Sequence, residues 1–479
     1  MVIPIAMSSY NYFKHFLLLV CLGLAVTLFA CKEEDEPQLP DPYDVALHRF
    51  AGGKEGTTFL QSSQAFGQPM DGLTETEALE HDYGDKLFET TYVQAGTLNQ
   101  LYAGLGPLFN NSSCTDCHQD DGRPPFPVNL NKRTGFFLRV SAGNDPIRGP
   151  IPLPGFGGQL QQNAVTNTSY MPEVHFMVSY EDREETFADG TVVKLRKPNY
   201  GVIDAYTPFP AYGQLSPRIG SPVFGLGLLE AVPEAEVLSY ADPFDRDRDQ
   251  ISGRANYVWS DECQKTMLGR FGWKANTATI KDQCAAAMVN DMGLTNPLHA
   301  QEEQYNMNVG WPKDRPAGAL EVSEAELHAV TLYCQTLGVP APRNLDRPEV
   351  KSGYRLFDET GCTKCHRPSM TTGDSPIAAL AHQTIYPYTD LLLHDMGDDL
   401  ADHRADFLAD GKEWRTRPLW GIGLTLVVNG YESYLHDGRA QSIEEAILWH
   451  GGEAQEIKNK YKALSKHDRD QLVLFVESL

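Results

Sequence analysis

The chain has 479 residues and a formal charge of −24, from 64 acidic and 40 basic side chains. That excess of carboxylates excludes a nucleic-acid partner, whose phosphates need clustered Lys and Arg, and suits encounter with a basic protein. With 41% hydrophobic residues and no low-complexity tract, the composition is that of a globular chain of two or three domains and excludes a disordered or fibrous one.

At the N-terminus, Lys14 is followed by an apolar run from Phe16 to Ala30. Fifteen residues fall short of the roughly 20 that span a bilayer, but they suit the core of a signal peptide. Leu28-Phe29-Ala30-Cys31 resembles a bacterial lipobox, which predicts removal of residues 1–30 and a lipid on Cys31. An ordinary signal peptide with a chance cysteine is the alternative. Residues 31–45 then read as an acidic, Pro-rich tether beginning Lys32-Glu33-Glu34-Asp35-Glu36. The expected location is the periplasm or cell surface, lipid-anchored to the outer membrane.

Two later stretches repeat each other. GPLFNNSSCTDCH puts Leu108-Phe109 six residues before Cys114, and YRLFDETGCTKCH puts Leu356-Phe357 six before Cys362. Each is followed by an amphipathic segment with a Ser N-cap, Ser323–Leu337 and Ser465–Leu479. The order of helix, CxxCH, loops and closing helix predicts a mainly α protein of two cytochrome c-like haem domains, residues 46–340 and 345–479. The interval from first Cys to closing Ser is 209 residues in the first copy and 103 in the second. The surplus predicts a long, partly β insertion at about 125–260. Within it Val174, Phe176, Val178 and Tyr180 alternate, Asp189-Gly190 turns, and Val192–Leu195 returns as a hairpin. Asp245, Asp247 and Asp249 alternate as hard oxygen donors do in calcium loops, but Gln250 and Asn256 depart from the EF-hand. A calcium ion in another geometry or a solvated acidic turn both fit.

The CxxCH motifs carry the chemistry. Cys114, Cys117, Cys362 and Cys365 would form thioethers to two covalently bound c-type haems, with His118 and His366 as iron ligands. A thioredoxin-like reading of CxxC ignores both histidines and lacks a βαβ setting. Of the other cysteines, Cys21 leaves with the signal. Cys263 and Cys284 can pair as a disulfide or stand, like Cys334, as thiols.

The stretches GPLFNNSSCTDCHQDDGRPP, SPVFGLGLLEAVP, DQISGRANYVW, GRFGWKANTATIKDQCAAAMVNDMGLTNP, LLLHDMGDDL, WRTRPLWGIGL and YLHDGRAQSIEEAILWHGGEA resemble the di-haem oxidoreductase family, itself similar to bacterial di-haem cytochrome c peroxidases. The resemblance implies four things about residues. His450, fourteen after the His of His436-Asp437-Gly438, would be the second axial ligand of the C-terminal haem, with Met396, Met370 and Tyr434 as rivals. Trp273 would relay electrons between the haems, with Gln283 ten residues on in the distal pocket. The family's catalytic Glu, twenty after the Trp, is Gly293 here, so Asp291 is the nearest carboxylate and Glu230 a remoter one. The haem at His118 would be the reactive one, with His175 as a spare ligand.

The expectation is a peroxidase-like oxidoreductase acting with a redox partner protein or a small oxidant such as peroxide. The alternative is a non-enzymatic electron-transfer cytochrome at the same location. Thiol oxidation, the family's other name, has no evident dithiol in these residues.

Overall fold

The structure, a computed structural model, describes residues 45–94, 97, 102–125, 135–166, 170–302 and 320–479. The leader, Cys21, Cys31 and all of the acidic tether but Val45 lie outside them. No helix among the described residues is long and apolar enough to cross a membrane.

The fold is mixed, with 31% helix and 21% strand. Its strands form two-stranded sheets scattered along the chain. This corrects the expectation of a mainly α protein built from cytochrome c-like domains. The reason is visible where the two copies were matched. Before Cys362 a helix does run, Pro348–Thr360, with Pro at its first turn. Before Cys114 the same Leu-Phe pair is a short strand, Leu108–Phe109, hydrogen-bonded to Asn163–Ala164. Gly104, Gly106 and Pro107 break any helix there, since glycine carries a large entropic penalty and proline removes a donor.

What does repeat is a pair of crossed helices in each half. Glu75–Glu89 packs on Glu324–Thr336, and Pro348–Thr360 packs on Lys466–Ser478. Both crossings are made over a glycine. A Cβ on Gly84 would lie 2.1 Å from the Ala329 carbonyl oxygen, and one on Gly353 would lie 2.1 Å from that of Gln471. The closing helices start as their sequences predict. Ser323 and Glu326 form a reciprocal capping box, and Ser465 caps through the Asp468 amide.

The hairpin also forms as expected, His175–Thr186 against Val192–Ile203. It reaches across to the C-terminal part of the chain rather than standing apart. Tyr200 donates to Asp437 at 3.1 Å, Lys462 pairs with Glu185 at 2.6 Å, and Arg469 pairs with Asp189 at 2.9 Å. Likewise Thr57–Thr58 pairs with Val339–Pro340, and Phe136–Ser141 pairs with Gln214–Ile219. Residues Val45–Leu479 therefore pack as one unit.

Candidate functional site

Each CxxCH segment is a single tight turn. The His118 amide donates to the Cys114 carbonyl at 2.9 Å, and the His366 amide donates to the Cys362 carbonyl, also at 2.9 Å. In the second motif both thiols and the imidazole face one cavity. Each imidazole is then oriented from outside the motif. Nδ1 of His118 meets the Ser221 carbonyl at 2.7 Å, and Nδ1 of His366 meets the Tyr388 carbonyl at 2.9 Å. A backbone carbonyl can only accept, so Nδ1 carries the proton and Nε2 keeps its lone pair. Burial lowers the pKa of both rings to about 4, which leaves them neutral and able to bind a metal.

The second turn opens into a cavity enclosing about 1330 Å³ of atom-free space, counting its mouth. Cys362, Cys365, His366 and His450 line it, as do Trp273, Met396, Trp414, Tyr434 and His436. His450 caps the C-terminus of the Ile443–Trp449 helix. Its Nδ1 meets the Ala446 carbonyl at 2.7 Å, which frees Nε2 in the same manner as in the two motif histidines. The ring thus serves the helix end through one nitrogen and leaves the other without a carbonyl partner. Of the rival ligands, Met396 and Tyr434 share the cavity, whereas Met370 is buried in the hydrophobic core. The His436-Asp437-Gly438 segment holds the wall. The His436 ring stacks on Trp414 at 3.8 Å, and Asp437 binds Arg439 and Tyr200.

The first turn has a more polar setting. Asn111 donates to the Cys117 sulfur at 3.0 Å. The Asp291 carboxylate stands close enough to raise the pKa of both Cys114 and Cys117, and it accepts from Gln159 at 2.5 Å. Burial raises the pKa of Asp291 itself, against the pull of Arg139 and the Gln159 hydrogen bond. The missing Glu has a steric cause. Gly293 ends the Ile280–Met292 helix at φ +66°, and a Cβ there would meet the Gly106 Cα at 2.7 Å. Asp291, two residues earlier on that helix, is the carboxylate the packing allows.

Trp273 is buried at the second cavity. Its indole Nε1 donates to the Ile219 carbonyl at 2.9 Å. Two residues on, Ser221 holds His118. Gln283 lies in the first turn of the Ile280–Met292 helix that carries Asp291, its amide donating to the Thr279 carbonyl at 3.1 Å. Glu230 is engaged elsewhere, accepting from the Ile280 amide at 2.8 Å and from Gln335 at 2.6 Å. His175 faces Asp204 at the hairpin base.

The oxygens of Asp245, Asp247 and Asp249 gather within 4.8 Å of one another. Lys364, from inside the second CxxCH, already supplies a cation to Asp249 at 2.9 Å. The thiols of Cys114, Cys284 and Cys334 interact beside the first turn, while Cys263 is exposed and stands apart.

Sequence reading missed three cationic neighbours of the cavity, Arg123, Arg415 and Arg417. Arg417 lies over the Trp273 ring at 4.8 Å and also acts on His118. Their one visible signal is position: Arg123 follows His118 by five residues, and Arg415 and Arg417 sit in WRTRPLW.

The family model described as "Di-haem oxidoreductase, putative peroxidase" matches residues 46–479. No curated protein matches the chain. Among solved structures it is similar to hydrazine synthase of Kuenenia stuttgartiensis, pressurised with xenon, at 17% identity and a TM-score of 0.24. That match covers 41% of this chain and spans 61% of that one.

Proposed function

The chain belongs to the di-haem oxidoreductase family, and from that premise we propose an exported, lipid-anchored enzyme of peroxidase type with a covalent haem on each CxxCH turn. The observation that carries the reading is the shared preparation of three imidazoles. His118, His366 and His450 each bind a carbonyl through Nδ1 and keep Nε2 free, and two of them line one cavity. His366 and His450 would both hold the iron of the second haem, which would then serve to store an electron. Two imidazoles hold the potential lower than a His/Met pair would.

A haem supplies an iron that exchanges single electrons and, where a position is open, a place for a small oxidant to bind. Reducing one peroxide to two waters takes two electrons and two protons, and two haems match that electron count. At the first turn the chain's own part is proton handling. Asp291, held by Gln159 and shifted toward its protonated form, can give and regain a proton beside the Cys114/Cys117 face. Trp273 and the Ile219–Ser221 segment supply a short path between the second cavity and His118. Electrons would come from a partner protein, one whose basic surface meets this acidic one.

The test is haem stoichiometry followed by low-temperature spin-state spectroscopy of the ferric protein. Expected are two haems per chain that resist acid–acetone, one low-spin iron, and one open or water-bound iron. Extractable haem would sink the c-type assignment. Two low-spin six-coordinate irons, with no peroxide turnover, would leave the electron-carrier reading. Fractionation of cells carrying Cys31→Ser tests the anchor: release from the membrane is expected, with haem content unchanged.

A further inference from the structure

Buried guanidinium groups in this protein mostly reach carboxylates. Arg218 pairs with Asp406 at 3.0 Å, Arg404 with the same Asp406 at 3.0 Å, Arg439 with Asp437 at 2.7 Å, and Arg469 with Asp189 at 2.9 Å. Arg123, Arg415 and Arg417 do not. Arg123 and Arg415 are 6% and 3% exposed, and Arg417 is half-buried. Among the described residues none of the three has an ion-pair partner. Arg123 reaches the Ser433 carbonyl at 3.5 Å and lies over the Tyr434 ring at 5.4 Å, Arg415 reaches the Gly272 carbonyl at 3.0 Å with the Asp390 charge acting on it from beyond ion-pair distance, and Arg417 lies over the Trp273 face. Nε of Arg123, Nη1 of Arg415 and Nε of Arg417 are buried N–H groups with no acceptor at all.

An unpaired buried charge is strongly unfavourable, and each unmet buried donor adds to that cost. Here three such cations repel one another as well: the charges of Arg415 and Arg123 both act on Arg417. Arg270 is also buried without an ion pair, reaching the Leu229 carbonyl at 3.1 Å, but it stands alone, whereas three such cations gathered at one cavity call for an anion to hold them together. The place identifies the anion. All three line the second cavity, Arg417 also acts on His118, and Arg123 is on the segment leaving the first turn. A haem seated on either turn brings two propionate carboxylates, the planar acceptors that a guanidinium fork matches best.

We infer that Arg123, Arg415 and Arg417 form a carboxylate-binding site between the two turns that takes haem propionates, placing shared positive charge beside both irons. The inference rests on haem occupying both turns, and haem counting on each preparation tests that separately.

The experiment is a spectroelectrochemical titration of the holoprotein and of Arg417→Gln, Arg415→Gln and Arg417→Lys, each first shown to hold two haems. Arg417→Gln should shift both midpoint potentials downward, because a cation that stabilises the reduced, less positive haem is lost. Arg415→Gln should shift chiefly the second haem, and Arg417→Lys should keep most of the parent potential. Glutamine variants with both potentials unchanged would overturn the site. A free anion is the competing source of carboxylate-like charge, so formate and inorganic phosphate are titrated into the parent. Potentials insensitive to both support propionates; potentials that fall with either, saturably, assign the arginines to a solution anion and overturn the proposal. Should the glutamine variants lose haem or fail to fold, resonance Raman of the parent decides. Propionate bending bands that shift between parent and Arg417→Lys support the contact, and unshifted bands oppose it.

Discussion

The two CxxCH turns share local geometry and differ in what surrounds them. The second faces an apolar cavity with an imidazole, a thioether and stacked aromatic rings on its walls. The first faces Asn111, Gln159 and a half-buried carboxylate. The same five-residue motif thus meets two environments, one largely apolar with a second imidazole on its wall and one with a carboxylate and its amide partner. On the proposed reading any division of labour resides in these walls, since the turns are common to both.

The contrast breaks most visibly at Asp291. If the first site is the proton-handling one, Asp291→Asn lowers peroxide turnover by about 10²–10⁴-fold, the worth of one placed proton-transfer group. Both haem spectra stay unchanged, because Asn still accepts from Gln159. A drop below about threefold in steady-state assays would remove Asp291 from the mechanism. Next in size is the closed iron. His450→Ala should convert the second haem from low-spin to high-spin or water-bound and raise its potential, while Met396→Ala should change neither. The reverse result would assign the ligand to Met396.

The smallest effect sharpens the comparison through stability. Glu173 is buried against the wall of the first site. It accepts from the Gln161 amide at 2.9 Å, and Gln161 in turn donates to the Asn290 carbonyl at 2.7 Å. Burial raises its pKa to about 8. A carboxyl whose folded pKa is raised favours the fold below its unfolded pKa of about 4.3, and that contribution is lost as pH rises through about 8. Glu173→Gln keeps the acceptor without the charge. Its stability relative to the parent should therefore climb between about pH 4.5 and 8, then level off, by on the order of 5 kcal/mol. Equal denaturation midpoints at pH 5 and pH 8 would refute this.

Local signals made part of this legible in the sequence. The CxxCH turns, the Ser323 and Ser465 caps and the Asp189-Gly190 hairpin each depend on residues a few positions apart. The fold class was misread because Leu108-Phe109 and Leu356-Phe357 are the same dipeptide in different company, one behind Gly-Pro and one inside a helix opened by Pro348. The placement of Asp291 near Cys114 and Cys117 came only through a resemblance, and the reason for it, the Gly106–Gly293 contact, spans most of the first half. The arginine trio left no periodic trace, since its members meet from segments about 300 residues apart.

The carbonyls that hold the two motif histidines have a consequence in time. His366 finds its partner 22 residues along, in Tyr388, while His118 must wait for Ser221, 103 residues along. Closing the longer loop costs about 1.4 kcal/mol more in chain entropy, at roughly 0.6 kcal/mol per doubling. The first CxxCH motif comes early in the chain, yet its ring cannot be set until the Gln214–Ile219 strand has arrived. The second motif needs only the next loop. The half of the protein that is made first is therefore the half whose motif histidine is positioned after the longer delay.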